Sequence, residues 1–277
     1  MITKEQIQFA EALSQEAGLA VRAAGRGAEV LMNYWRRLSD EQIHHKGAGD
    51  LVTEADLHSE QTIASFLEAE MPEAAILCEE GTERTGKGPI WYLDPLDGTT
   101  NFVQRFPVFC VSLALASDSS RVNPELVCGV VYNPISEELF LAAKGKGSYL
   151  GTKQLKCSPK RNFSDAVIAT GFPRRYADEL ASYLKEFGAI YPDCRAIRRA
   201  GSAALDLCWT AQGIFDGFWE HRLSPWDIAA GILIVEEAGG VCSDFKGERR
   251  FLESGNIVGA APPIHQELLR HIQLARD

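Results

Sequence analysis

Apolar residues recur at helical spacing through residues 5–35, at Phe9, Leu13, Ala17, Ala20, Ala24 and Leu31, and predict one long helix or two abutting ones. The same period returns over 54–70 through Leu57, Ile63 and Leu67. It stops before Pro72, whose ring cannot continue a helix. Two short unbroken apolar runs follow, 74–78 and 89–93, and each reads as a buried strand ending in acid, at Glu79 and at Asp94. From residue 108 the texture turns β-rich, with runs at 108–116, 126–132 and 138–143 separated by turn-forming clusters at 117–124, 133–134 and 144–147. That is the pattern of an antiparallel meander. Beyond residue 160, strands at 166–170, 214–219 and 256–260 alternate with helices at 178–187, 203–211, 226–238 and 265–275. Layered α/β structure is expected: an α+β half over 1–160 with most of the acidic motifs, and an α/β half over 161–277, joined in one compact unit. The sequence contains no internal repeat, low-complexity tract or long linker.

Composition narrows the function classes. With 277 residues, 45% of them hydrophobic and 24% charged, the chain has the makings of a globular core. A formal net charge of −10 argues against general nucleic-acid binding, since no basic surplus exists to neutralise a phosphate backbone. Metal ions can still supply positive charge locally for a small phosphate ester. The opening residues, with Lys4, Glu5 and Glu11, read as an amphipathic helix and not as a signal peptide. The longest apolar stretches, around 108–116 and 229–235, fall short of the roughly 18–20 residues of a membrane span. Seven cysteines, at 78, 110, 128, 157, 194, 208 and 242, are odd in number and form no C-x-x-C pair; reduced, buried thiols in a cytoplasmic protein are expected.

Candidate chemistry centres on Glu79 and the run Asp94-Pro95-Leu96-Asp97-Gly98-Thr99-Thr100. Carboxylates with little histidine or thiol nearby suit Mg²⁺, or Mn²⁺, better than Zn²⁺. Pro95-Leu96 spaces Asp94 and Asp97 for one tight turn with both carboxylates on the same side. Gly98-Thr99-Thr100 offers backbone N–H groups and hydroxyls to a phosphate. Asp227 heads the apolar run 228–235 directly after Ser224-Pro225, and Asp56 directly precedes an amphipathic helix; by position alone each is a helix cap. Residues 81–88, G-x-x-x-x-G-K-G, imitate a nucleotide-binding P-loop, but Gly88 stands where Ser or Thr is required and Pro89 begins a strand, so a mobile lid is expected. His44-His45 are expected to be solvated, because adjacent residues of regular structure do not share a face.

The run Asp94-Pro95-Leu96-Asp97-Gly98-Thr99-Thr100-Asn101-Phe102 resembles the first signature of the inositol monophosphatase family, within the wider lithium-sensitive, Mg²⁺-dependent phosphatase superfamily. Trp226-Asp227-Ile228-Ala229-Ala230-Gly231 resembles the second signature, at the expected distance downstream. Asp50-Leu51-Val52-Thr53-Glu54-Ala55-Asp56 resembles a third, upstream, and Glu79-Glu80 matches the metal-binding glutamate segment. One Asp-x-x-Asp arises easily by chance among 38 acidic residues; four motifs in order over 46–231 do not.

The resemblance implies a layered αβαβα sandwich with an antiparallel N-terminal sheet and a second, mixed sheet. It implies two or three Mg²⁺ ions, with Mn²⁺ as the alternative. Asp94 would bridge two of them, Glu79 and the carbonyl of Leu96 would complete the first site, and Asp97 and Asp227 the second. Asp56 and Thr99 correspond to residues that orient or deprotonate the attacking water, with Glu79 beside them. For substrate, the resemblance implies Gly98 and Thr99 near the phosphate and Gly201, Ser202 and Ala203 near the alcohol, together with Asp227; Glu220 matches an acceptor of inositol hydroxyls. Lys46 orders its loop or a third metal, or is simply solvated, and the pairs Arg174-Arg175 and Arg198-Arg199 are candidates to face a second phosphate, although most such pairs are expected to be surface charges. The expected activity is hydrolysis of inositol 1-phosphate or a related sugar or polyol phosphate by a homodimer inhibited by Li⁺. Alternatives within the superfamily are phosphatases for fructose 1,6-bisphosphate, histidinol phosphate, phosphoadenosine phosphate or NADP(H). A regulatory protein with residual phosphatase activity is the alternative from another class, since some bacterial relatives associate with transcription machinery. A small phosphate ester is the expected partner, with no nucleic acid and no membrane.

Overall fold

The computed structural model describes residues 1–47, 50–82, 84–86, 88–118, 124–173 and 177–276. The N-terminal helical pattern resolves into two helices, α1 (Lys4–Leu13) and α2 (Gln15–Tyr34). Ser14 breaks them: its extended backbone ends α1, and its hydroxyl accepts the Ala17 N–H at 3.0 Å to cap α2. A small antiparallel hairpin, β1 (Ile43–Gly47) and β2 (Asp50–Thr53), leads into α3 (Glu54–Glu70).

Seven strands then form one sheet in chain order: β3 (Ala75–Cys78), β4 (Ile90–Asp97), β5 (Cys110–Ala116), β6 (Leu126–Asn133), β7 (Glu138–Ala143), β8 (Gly147–Leu150) and β9 (Lys153–Gln154). The expected meander is present from β4 onward, all pairs antiparallel. The β3–β4 pair is parallel, so the first sheet is not wholly antiparallel; residues 79–89 supply the crossover that a parallel pair needs. Nor does β4 stop at Asp94. It continues to Asp97 through an irregularity in which Asp94 pairs with Ser112 and Asp97 with Cys110. Pro95 falls within it, at a position that gives the ladder no N–H. The short helix α4 (Thr99–Val103) follows, entered through Gly98 at φ +98°, a left-handed conformation that favours glycine.

The remaining elements are β10 (Val167–Thr170), α5 (Leu180–Ile190), β11 (Ala196–Arg198), α6 (Ala203–Ala211), β12 (Gly217–Glu220), α7 (Pro225–Glu237), β13 (Val241–Ser243), α8 (Phe251–Ser254), β14 (Ile257–Ala260) and α9 (Pro262–Arg276). The second sheet has the order β11-β10-β12-β14-β13 and is mixed, parallel across β11, β10 and β12 and antiparallel beyond.

Three apolar cores separate five layers. Ala20, Ala24 and Leu31 of α2 and Ile63 and Leu67 of α3 pack on Trp91, Leu113 and Val130 of the first sheet. The opposite face of that sheet, with Tyr92 and Ala114, meets α6 and α7 through Leu207, Ile228 and Ile232, and the same core includes Phe218 and Ile257 of the second sheet. The outer face of the second sheet packs on α5 and α9 through Tyr183, Ile264 and Leu268. Helices, sheet, helices, sheet, helices is the αβαβα order. The central core draws on both sides of residue 160, so burying it requires the two sheets to dock together.

A buried polar cluster fixes the end of β12. His221 Nε2 and Glu186 Oε2 lie 2.6 Å apart, and Arg276 Nε donates to Glu186 Oε1 at 2.5 Å. Residues 81–88 do not form the lid expected for them as far as they are described: Arg84 pairs with Ile76 at the outer edge of β3, and its guanidinium donates to the carbonyl of Pro72 at 2.6 Å.

Candidate active site

The carboxylates of Glu79, Asp94 and Asp227 each bring an oxygen within 4.8 Å of the other two. Three elements deliver them: Glu79 follows β3, Asp94 lies in β4 before the irregularity, and Asp227 sits in the first turn of α7. Asp94 is 1% exposed and accepts the Leu96 N–H at 2.9 Å. Burial, with Glu79, Asp97 and Asp227 close by, holds its carboxyl well above the usual carboxylate range. Negative charge of this density is what a hard divalent ion would relieve. The donor set fits Mg²⁺: carboxylate oxygens, with no histidine or thiolate in the cluster.

Asp227 is both a helix cap and a member of the acidic cluster. Its Oδ2 accepts the Ser224 N–H at 2.7 Å in a capping box, while the carboxylate joins Glu79 and Asp94. Asp97 stands beside the cluster with its Oδ2 bound at 2.6 Å to the Ser202 hydroxyl and at 2.8 Å to the Ala204 N–H. Burial raises the Asp97 carboxyl to about 6, and those two hydrogen bonds work in the opposite direction.

Asp56 likewise caps α3 and faces the site. Its Oδ2 accepts from the Thr53 hydroxyl at 2.6 Å and the Thr53 N–H at 2.8 Å. Its Oδ1 lies 3.1 Å from Thr99 Oγ1, which lies equally 3.1 Å from the carbonyl oxygen of Leu96. A hydroxyl has one proton, so Thr99 serves one of these acceptors at a time. Burial pushes Asp56 up to about 7, against the pull of its bonds to Thr53 and Thr99. Glu80 is also raised to about 7, chiefly by burial, and forms an ion pair with Lys46, which is the role the structure gives that lysine.

A cavity of about 420 Å³ opens over these groups. Glu79, Asp94, Asp97, Gly98, Thr99 and Asp227 line one part of it; Gly201, Ser202, Ala203 and Glu220 line another. Asn101 ties the two together by donating to the carbonyls of Val108 at 2.8 Å and Ala200 at 3.0 Å. Leu96, 1% exposed, lies behind the wall with its carbonyl turned to Thr99. Glu220 ends β12, and its carboxylate packs so closely over Gly171 that a methyl group there would overlap it. The Arg198-Arg199 pair splits: Arg199 lines the cavity, its guanidinium 5.4 Å from the Phe172 ring, while Arg198 is exposed and bonds the carbonyl of Ile197. Arg174 and Arg175 lie outside the described residues. His44 and His45 are exposed, as expected. The seven cysteines are free, five of them buried and Cys157 and Cys194 partly so.

Residues 12–276 match the inositol monophosphatase family. The chain belongs to that family. Nus factor SuhB of Pseudomonas aeruginosa is 41% identical over 261 residues, which cover 92% of this chain and 94% of that protein. The crystal structure of the extragenic suppressor protein suhB from Bartonella henselae superposes with a TM-score of 0.88 at 37% identity, over 94% of this chain and 99% of the other. The inositol monophosphatase of Anabaena (Nostoc) follows with a TM-score of 0.81 at 32% identity, over 92% and 94%. The layered mixed α/β fold is thus the family's, and the family is a Mg²⁺-dependent phosphatase family. Among the described residues, no helix is long and apolar enough to cross a membrane.

Gly171 and Asp206 are among the cavity residues that escaped the motif reading. Gly171 leaves no chemical signature of its own. Asp206 does, as the lone acid in the otherwise apolar stretch of α6.

Proposed function

We propose that this protein is a cytoplasmic, Mg²⁺-dependent phosphomonoesterase acting on inositol 1-phosphate or a related polyol phosphate by direct attack of water. The observation that carries this reading is the single cavity lined by the Glu79, Asp94 and Asp227 carboxylates, Glu220 and Thr99, whose hydroxyl is backed by buried Asp56. Glu79, Asp94, Asp97, Asp227 and the Leu96 carbonyl would hold two or three Mg²⁺ ions, which supply charge neutralisation at the phosphoryl oxygens and activation of water. Were the Leu96 carbonyl held by a metal, the Thr99 hydroxyl would direct its hydrogen bond to Asp56 Oδ1 and leave its oxygen lone pairs free to take a proton from water as its own proton moves to Asp56. Asp56 then acts as proton acceptor through Thr99, and Thr53 fixes its other oxygen. Ser202 and Ala204 orient Asp97. Gly98 and Thr99 receive the phosphate, Gly201, Ser202 and Ala203 the alcohol, and Glu220 a hydroxyl; an apolar alcohol would leave that carboxylate unpaired.

The two-sheet unit is read as a homodimer subunit inhibited by Li⁺. Phosphate release from inositol 1-phosphate, fructose 1,6-bisphosphate, histidinol phosphate, phosphoadenosine phosphate and NADP⁺, with and without Mg²⁺, tests the reading. One preferred ester, hydrolysed only with Mg²⁺ and not by Asp94→Asn, supports it. Absence of Mg²⁺-dependent release from any of them overturns it.

A second reading rests on the name Nus factor given to relatives such as the Pseudomonas aeruginosa protein: a regulatory protein that binds a component of transcription and retains phosphatase activity as a secondary property. Recovery of a stoichiometric macromolecular partner from native extract, alongside negligible turnover of every ester, would favour it.

A further inference from the structure

Asp206 sits at 1% exposure in α6, a helix otherwise composed there of Ala, Leu, Cys, Trp and Thr. Its backbone is fully committed: the N–H donates to the Ser202 carbonyl at 3.0 Å and its own carbonyl accepts from the Thr210 hydroxyl at 2.8 Å. Its carboxyl is not. Among the described residues, Oδ1 has no hydrogen-bond partner, although the residue lines the cavity together with Glu220 and Arg199. A buried carboxyl oxygen left without a partner is destabilising, and such a group calls for an explanation in the native structure. None of the metal carboxylates explains it, since the close cluster is Glu79, Asp94 and Asp227.

We propose that Asp206 is a specificity-determining residue of this site, whose carboxyl takes a hydroxyl of the substrate's alcohol part, so that Asp206 and Glu220 together read two hydroxyls of a polyol. This rests on the phosphomonoesterase reading and names a feature of the substrate. Burial, and then Glu220, hold the Asp206 carboxyl well above the usual range. A hydroxyl can donate to a carboxylate or accept from a carboxylic acid, and is the small group that satisfies Oδ1 in either form without bringing charge. Arg199, facing the same cavity, acts on the Asp206 carboxyl in the opposite direction.

The test compares wild type, Asp206→Ala and Asp206→Asn on inositol 1-phosphate and on phenyl phosphate, whose alcohol part has no further hydroxyl. Asp206→Ala is expected to lower kcat/KM for inositol 1-phosphate about 10- to 100-fold, mainly through KM, and to leave phenyl phosphate within about twofold. Asp206→Asn, which keeps a donor and an acceptor, is expected to restore most of the loss. Equal loss on both esters, no loss on either, or no rescue by Asn overturns the proposal. Calorimetric titration with inositol 1-phosphate in a Thr99→Val background reads the same contact without turnover. If wild type releases phosphate from neither ester, the enzymatic reading fails while calorimetry still decides the contact: weaker binding on adding Asp206→Ala supports it, unchanged or undetectable binding overturns it. If phenyl phosphate is hydrolysed but inositol 1-phosphate is neither hydrolysed nor bound, the phosphatase stands and the polyol contact is overturned.

Discussion

Ser202 donates its hydroxyl to Asp97 Oδ2 at 2.6 Å across 105 residues of chain, from the head of α6 to the end of β4. This bond orients a carboxylate without Ser202 itself being a metal ligand. Replacing Ser202 by Ala should therefore weaken Mg²⁺, raising its half-saturating concentration about 10- to 100-fold, the usual scale for an outer-shell partner. Activity measured against Mg²⁺ concentration checks this; an unchanged midpoint would sink it. Ala also removes the cap from Leu205, at a cost of about 1 kcal/mol in stability.

Removing Mg²⁺ should make stability depend on pH in a particular direction. Asp56, raised to about 7, and Asp97, raised to about 6, bind protons more tightly folded than unfolded. Their contribution to stability is greatest below the unfolded carboxylate range near 4 and is lost as pH rises through 6 to 7. Bound Mg²⁺ prefers the ionised forms, so the increase in Tm that it produces should grow between pH 5 and 8. Melting curves with chelator and with Mg²⁺ across that range decide the point; a Mg²⁺ shift independent of pH would contradict it. In Asp94→Asn the shift should nearly vanish while the chelated protein melts no lower than wild type.

Thr99→Val removes the hydroxyl between Leu96 and Asp56 while preserving shape. The expected result is a kcat about 10²- to 10⁴-fold lower, the range for loss of a positioned proton path, with substrate KM little changed. Thr99→Ser should recover much of the rate. A large rise in KM with kcat intact would instead make Thr99 a binding group only.

Gly171→Ala places a methyl group into the Glu220 carboxylate. Glu220 must move, so KM for a polyol phosphate should rise while the Mg²⁺ midpoint stays near wild type. Parallel titrations of substrate and Mg²⁺ separate the two effects, and equal changes in both would show that the disturbance is not confined to Glu220.

Periodicity located the long helices and the meander well, because α2, α3 and β5 to β7 each bury one continuous face. It lost the β1–β2 hairpin, where Ile43, His44, His45 and Lys46 give no alternation, and the three-residue strands β11 and β13 at the edges of the second sheet. Pro95 suggested the end of a strand, whereas an irregular step lets β4 pass through it. Pro262 and Pro263 obscured the start of α9, where the first turn tolerates proline. The acidic cluster of Glu79, Asp94 and Asp227 was legible as motifs. Contacts such as Ser202 with Asp97 were not, because they join elements from two sheets and leave no local pattern.

Asp227 stands at the head of a helix buried on every side: Ile228 through Val235 are all enclosed between the sheets, and Ala230 leaves no room for a side chain at Gly129. Amide protons of α7 should consequently exchange only with global unfolding, and those of the two-stranded β1–β2 hairpin, which reaches the cavity through Leu51, far sooner. On that expectation the site has a floor as durable as the fold and one wall that yields sooner, so losing the α7 carboxylate would mean losing the fold.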